Sequence, residues 1–189
     1  MIYLSIQVRI SMFEGKYVKL RALEQEDLKL LRDWRNRGHV RKTTREYRLL
    51  NMIHQKKWFE LIHGENPPKH IMFGIMTKNQ KISGVTGLTY IDWKNKHSEI
   101  SIYMSNKNWQ KTKEAKDTIN LMLKYGFEEL NLHRLWVEIF QISEENMELF
   151  EKMNFKKEGI LRDKVWRSGK WWNSFIYSKL SSEYKHEPN

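Results

Sequence analysis

Apolar and polar positions alternate along KYVKLRAL (16–23), which predicts a strand. HIMFGIMT (70–77), KISGVTGLTYID (81–92) and HSEISIYM (97–104) are also strand-like, separated by the short turns KNQK and WKNK. Other segments follow a helical period. EQEDLKLLRDWRN (24–36) puts Leu28, Leu31 and Trp34 on one face, with acidic residues first and basic ones last, as the helix dipole favours. Asn51 is a good N-cap for 51–63, whose apolar side holds Trp58, Phe59 and Ile62. Residues 114–130 carry Ala115, Ile119, Met122, Leu123 and Phe127 at helical spacing. A strand at 133–140, a helix at 143–153 and a hairpin of strands from Phe155 to Leu180, turning at RSGK (167–170), complete the chain. SSEYKHEPN reads as a frayed tail. The order is β-αα-βββ-α-β-α-ββ. Strands joined by short turns are antiparallel, whereas a helix between 97–104 and 133–140 implies a parallel crossover. The expected fold is therefore α/β: one mixed sheet, helices on both faces, and a ligand crevice at the carboxyl ends of the parallel pair.

Composition narrows the function classes. The 189 residues fit one domain, taken as 13–180 between a short extension (1–12) and a tail (181–189). The opening MIYLSIQVRISMF lacks a small-residue cleavage site and does not read as a signal peptide, and Met12 is a second candidate start. Cysteine is absent, which excludes disulfides, thiol nucleophiles and Cys-based zinc sites. Among seven His, only His63 and His70 approach a ligand pair, so no metal is expected. The longest apolar run is too short to span a bilayer, and a cytoplasmic location follows by default. The net charge of +11 attracts anions: phosphate-bearing small molecules, nucleic acid or an anionic membrane. It is also what an ordinary solvated basic surface would give.

The candidate chemistry sits where strand 97–104 passes through the basic loop SNKNWQKTK into the helix at 114. Unpaired N–H groups and the dipole make such a junction an anion site. Lys111, Lys113 and Lys116 add charge there, or merely solvate the helix start.

These residues resemble the GNAT family of acetyl-CoA-dependent N-acetyltransferases, in the branch holding ribosomal-protein-alanine and spermidine acetyltransferases. The closest runs are GLTYIDWKNKHSEISIYM, LKYGFEELNLHRLWVEIF and ELFEKMNFKKEGILRDKVWRSGKW, and the likeness extends from about Phe13 to Leu180. It implies a GNAT fold with one splayed parallel strand pair and acetyl-CoA as cosubstrate. The family's Gln/Arg-x-x-Gly-x-Gly/Ala phosphate loop falls on Gln110, Lys111, Thr112, Lys113, Glu114 and Ala115, with Lys113 replacing the middle glycine. The resemblance places the backbone of Ile102, Tyr103 and Met104 against the acetyl carbonyl and pantetheine. It places Ser143, Asn146 and Phe150 beside the pantetheine arm, although Ser143 is also an ordinary N-cap. Family members often carry at the Phe150 position a Tyr that protonates the departing thiolate, which Phe cannot do; Tyr103 and Tyr177 are alternative donors. Glu99 matches the carboxylate that some members use as base. Trp34, Arg35 and Asn36 followed by Val40, with the His54–Trp58 run, resemble acetyltransferases of nucleotide-linked amino sugars, where Arg41, Arg45 and Arg48 would meet a second diphosphate.

Amide formation needs a neutral amine. A lysine-like amine costs about 4.6 kcal/mol to deprotonate at pH 7, an α-amine only about 1–1.4 kcal/mol. A site without a strong base therefore suits an amino sugar or a protein N-terminus better than a polyamine. The leading expectation is an N-acetyltransferase for a small-molecule amine or protein N-terminus, with a homodimer allowed by family analogy. The alternatives are a degenerate CoA-binding module, suggested by Lys113, Ser143 and Phe150, and a basic nucleic-acid-binding protein. The latter lacks a recognised motif, and its aromatics sit at core spacing.

Overall fold

Among the described residues, the seven strands expected from the sequence lie in one sheet, joined by an eighth of two residues, Phe13–Glu14. The computed structural model describes residues 13–185; the expectations for residues 1–12 and 186–189 lie outside the described residues. The strands are β1 (Phe13–Glu14), β2 (Val18–Ala22), β3 (Ile71–Thr77), β4 (Ile82–Asp92), β5 (His97–Met104), β6 (Arg134–Phe140), β7 (Lys156–Arg167) and β8 (Lys170–Leu180). Their order is β1-β2-β3-β4-β5-β6-β8-β7, and β5–β6 is the parallel pair among the described strands. The helices are α1 (Leu28–Arg35), α2 (Gly38–Thr43), α3 (Met52–Gly64), α4 (Lys113–Lys124) and α5 (Glu144–Lys152).

Helices cover both faces, and the buried clusters show which. Leu31 and Trp34 of α1, Val40 of α2 and Trp58, Phe59 and Ile62 of α3 pack on Val85 and Tyr103. Ala115, Ile119 and Met122 of α4 and Leu149 and Phe150 of α5 pack on Leu88, Ile100, Leu135 and Ile139. Successive strand residues face opposite sides, so β5 sends Tyr103 to the α1–α3 face and Ile100 and Met104 to the α4–α5 face. Asp117 of α4 ties the first hairpin down: its carboxylate accepts from the backbone N–H of Lys16, Tyr17 and Val18 (3.2, 2.6 and 2.9 Å).

Three expectations change. The six-residue α2 has one buried side chain, Val40, too little to leave a periodic signal. The long helix does not run regularly to 130; at Tyr125–Glu129 it widens into a π-turn. The tail is not frayed over 181–185. Ser181–Glu183 form a 3-10 turn, Lys156 pairs with Glu183, and the Tyr184 hydroxyl donates to Glu128 (2.9 Å) with its ring on Phe127. Among the described residues no helix is long and apolar enough to cross a membrane, and no group of three His, Asp or Glu could hold a metal ion.

Candidate active site

The site follows from how briefly the parallel strands pair. β5 and β6 align only at His97–Arg134, Ser98–Leu135 and Glu99–Trp136. Beyond Glu99 each keeps its other neighbour, β4 or β8, so the two strands part toward their carboxyl ends. The wedge opens into a cleft of about 650 Å³, walled by residues 99–103 of β5 and 137–140 of β6. The segment after α2, with Trp58, Leu61 and Ile62 of α3, closes one side. A second hollow of about 260 Å³ continues past Met104, Trp109, Gln110, Ile142 and Ser143. The two share Thr43, Ile102, Tyr103 and Asn146, which therefore mark the junction between the halves.

Two buried carboxylates face one guanidinium across the large cleft. Arg45 lies on the segment joining α2 to α3. It donates from Nη1 and Nη2 to the two oxygens of Glu99 (2.8 and 2.7 Å), and from Nη2 and Nε to Oε2 of Glu138 (2.6 and 3.2 Å). The Ser174 hydroxyl donates to the other oxygen of Glu138 (2.6 Å). Both carboxylate side chains are nearly inaccessible, at 4% and 7%, while Arg45 is half-exposed. Burial alone would lower the Arg45 guanidinium, but Glu99 and then Glu138 hold it above its usual value. Burial alone would raise Glu138, yet Ser174 and Arg45 keep it below the usual carboxylate range. The ring of Tyr90 lies 5.7 Å from the Arg45 guanidinium. Tyr90 sits at a bulge in β4 with φ of +52°, a left-handed conformation rare for an aromatic residue.

The segment carrying Arg45 is held at both ends. Thr44 accepts from Arg167 (3.1 Å), and Asn36 exchanges two hydrogen bonds with the Leu50 backbone (2.8 and 2.7 Å). Tyr47, Leu61 and Tyr90, each more than half exposed, form an apolar mouth. His70 stands edge-on to Tyr90, its imidazole lowered by burial.

The expected acceptor residues are partly displaced. Trp34 is a core residue, 4% exposed on α1, because its face packs on the sheet. Asn36 pins Leu50 and does not line the cleft. Arg35 does line it; its guanidinium lies over the Tyr103 ring (5.3 Å), and its Nε is buried without a hydrogen-bond partner. Arg48 reaches the rim but is bidentate to Glu46 (2.9 and 2.7 Å), whose carboxyl the hydrogen bond from Arg48 lowers to about 2. Arg45 and Arg48 are thus not free for a diphosphate, since each already holds a bidentate carboxylate.

On the cofactor side, Ile102, Tyr103, Met104, Gln110, Ser143 and Asn146 line the second hollow. Ser143 precedes α5 with no capping hydrogen bond and is nearly buried. The side chains of Lys111, Thr112, Lys113, Glu114 and Ala115 line neither hollow, so backbone amides are what this turn presents. Thr112 caps α4 by accepting from Ala115 N–H (3.2 Å), which leaves the amides of Lys113 and Glu114 in the first turn. The Lys113 ammonium lies over the Tyr17 ring (5.6 Å), directed to the first hairpin. Phe150 is buried, lines the large cleft and packs edge-on to Phe155. Tyr177 is spoken for: its hydroxyl donates to Glu151 (2.8 Å). Tyr103 occupies the junction, and burial pushes its phenol up to about 12 against the pull of Arg35. Asn146 Oδ1 is buried there without a hydrogen-bond partner, an acceptor suited to an amide N–H of a pantetheine chain.

Sequence reasoning passed over Glu138, Tyr90 and Ser174, and it misread Arg45. A charged residue inside RLWVEIF, flanked by Val137 and Ile139, was the available signal for Glu138.

Residues 20–176 match the family model of the acetyltransferase (GNAT) domain. The N-acetyltransferase p20 of Bacillus licheniformis is 28% identical over 110 residues, 58% of this chain; the match spans 61% of that protein. The spermidine N(1)-acetyltransferase of Escherichia coli (strain K12) is 25% identical over 171 residues, 90% of this chain and 89% of the relative. The structure of spermidine N-acetyltransferase from Vibrio cholerae in complex with CoA and spermine superposes with a TM-score of 0.78 at 22% identity, covering 88% of this chain and 96% of that one. That likeness shows the fold.

Proposed function

The chain belongs to the GNAT acetyltransferase family, with an acetyl-CoA-dependent N-acetyltransferase domain over residues 20–176, and from that premise we propose that its acceptor is a low-pKa primary amine on a carrier bearing an anionic group, such as a nucleotide-linked amino sugar. One observation carries this reading: Arg45 engages both buried carboxylates of the acceptor cleft through hydrogen bonds, and the cation left beside them is Arg35, with an unpartnered buried Nε. A polycation entering such a cleft meets no open carboxylate. An anionic group meets Arg35, and the apolar mouth of Tyr47, Leu61 and Tyr90 suits a sugar or base ring.

Acetyl-CoA supplies an acyl group already activated as a thioester. The residues of this chain do the rest. The Lys113 and Glu114 amides receive phosphate oxygens at the start of α4. Beyond the splay the backbone N–H groups of Ile102 and Met104 face the side that β6 has left and offer donors to the acetyl carbonyl, whereas Tyr103, opposite Val85, turns its N–H to β4. Glu99 is the candidate base, reached through water, since Arg45 donates to both its oxygens and the Thr89 hydroxyl and the Glu138 N–H each donate to one of them at 3.4 Å. Tyr103 takes the acid role that Phe150 cannot fill. Burial keeps its phenol protonated throughout the working range, and Arg35 beside the ring steadies charge that builds as the proton leaves.

Thiol release from acetyl-CoA, followed with three acceptors, tests the reading. A nucleotide-linked amino sugar should give the highest kcat/KM, a peptide with a free N-terminal alanine less, and spermidine the least. Spermidine as the preferred acceptor would overturn it.

A further inference from the structure

Glu99, Glu138 and Tyr90 together make a seat for an organic cation. Two buried carboxylates converge on one point, Ser174 fixes the second, and an aromatic face stands alongside; these are the groups that recognise ammonium and guanidinium ions. The left-handed backbone of Tyr90 at the β4 bulge holds that ring over the seat. A structural ion pair alone requires no open cleft around it, yet this one lines the wall of the acceptor cavity, and its cation arrives from a connecting segment.

We infer that Arg45 is a specificity-determining residue: its guanidinium occupies an ammonium seat formed by Glu99, Glu138 and Tyr90, and so excludes polyamine acceptors from the cleft. The inference rests on the acceptor reading above. Its logic is competition. A tethered cation is present at high effective concentration, so a free polyamine of equal intrinsic affinity cannot displace it. Removing the tether uncovers two carboxylates that favour any organic cation small enough to enter.

The test is calorimetric titration of spermidine into the full chain and into Arg45→Ala, both saturated with CoA. Arg45→Ala should bind spermidine at least about tenfold more tightly than the parent chain. Adding Glu99→Gln and Glu138→Gln to Arg45→Ala should abolish the gain. Equal affinity of parent and Arg45→Ala would overturn the inference, as would a gain that survives loss of both carboxylates. If the emptied seat does not fold unaided, refolding of Arg45→Ala with millimolar methylguanidinium gives the same reading: recovery supports the seat, and no recovery overturns it. Thiol release by the parent chain with the three acceptors keeps the two claims apart: poor turnover of the nucleotide-linked amino sugar would sink the acceptor reading, whereas the seat is judged by the spermidine comparison.

Discussion

At the scale of single residues, the site turns on where a phenol and a carboxylate stand. Tyr103→Phe keeps the ring against Arg35 and removes only the hydroxyl. It should lower kcat by about 10², the lower end of what proton transfer contributes, and leave the CoA dissociation constant unchanged. Phe150→Tyr in that background returns a phenol to the same cleft and should recover part of the rate, because Phe150 lines the wall that Tyr103 borders. Full activity in Tyr103→Phe would remove it from the mechanism. Lys113 calls for the opposite expectation. Its ammonium lies over Tyr17 and its side chain lines neither hollow, so Lys113→Ala should change CoA affinity by less than about threefold, or about 0.65 kcal/mol. A tenfold loss in calorimetry would show that the side chain reaches the phosphates after all.

At the scale of elements, strand pairing positions everything, and glycine permits the close approach of β3 to β4. A Cβ on Gly87 of β4 would lie 2.2 Å from the Ile71 carbonyl oxygen and 2.9 Å from the Met72 Cα, both backbone atoms that cannot yield cheaply. Gly87→Ala should therefore destabilise the fold by about 1–3 kcal/mol or more, read as a lower urea midpoint. The strands and amphipathic helices that carry this sheet were legible because each writes its own period locally. Ser168 and Gly169, both at positive φ, make the two-residue turn that RSGK announces. The π-turn at Tyr125–Glu129 was not legible, because Phe127 continues the apolar helical spacing while Gly126 lets the turn settle on Leu135. The cleft was half legible. β5 and its basic loop declare themselves locally, but Arg45 finds Glu99 across 54 positions and Glu138 across 93. In the sequence it is one arginine among Arg41, Arg45 and Arg48, with nothing nearby to mark it as the partner of two buried carboxylates.

At the scale of the whole molecule, the fold shifts ionisable groups in directions that set a stability plateau. Asp27, Glu46, Glu138 and Glu158 are held below their ordinary values of 3.8 and 4.5. A depressed carboxyl stabilises the native state above its unfolded pKa and loses that contribution as pH falls through the folded one. His39 and His70 are lowered from 6.5 by burial, so they begin the decline earlier, as pH drops below 6.5. Tyr103 and Tyr177 are raised from 10 to about 12 by burial; their contribution is complete below 10 and vanishes as pH climbs toward 12. Lys179, lowered by burial, acts the other way and softens only the start of that alkaline fall. Urea midpoints across pH should therefore be flat between 6.5 and 10 and decline on both sides, with Tyr103→Phe and Tyr177→Phe flattening the alkaline limb. The acid limb should also respond to salt. The chain already carries +11 at pH 7, and protonating carboxylates raises that charge, so screening by added salt should lift the acid limb far more than the plateau. Stability that rose as pH fell below 6, or an acid limb indifferent to salt, would mean that neither the buried pairs nor the net charge governs unfolding.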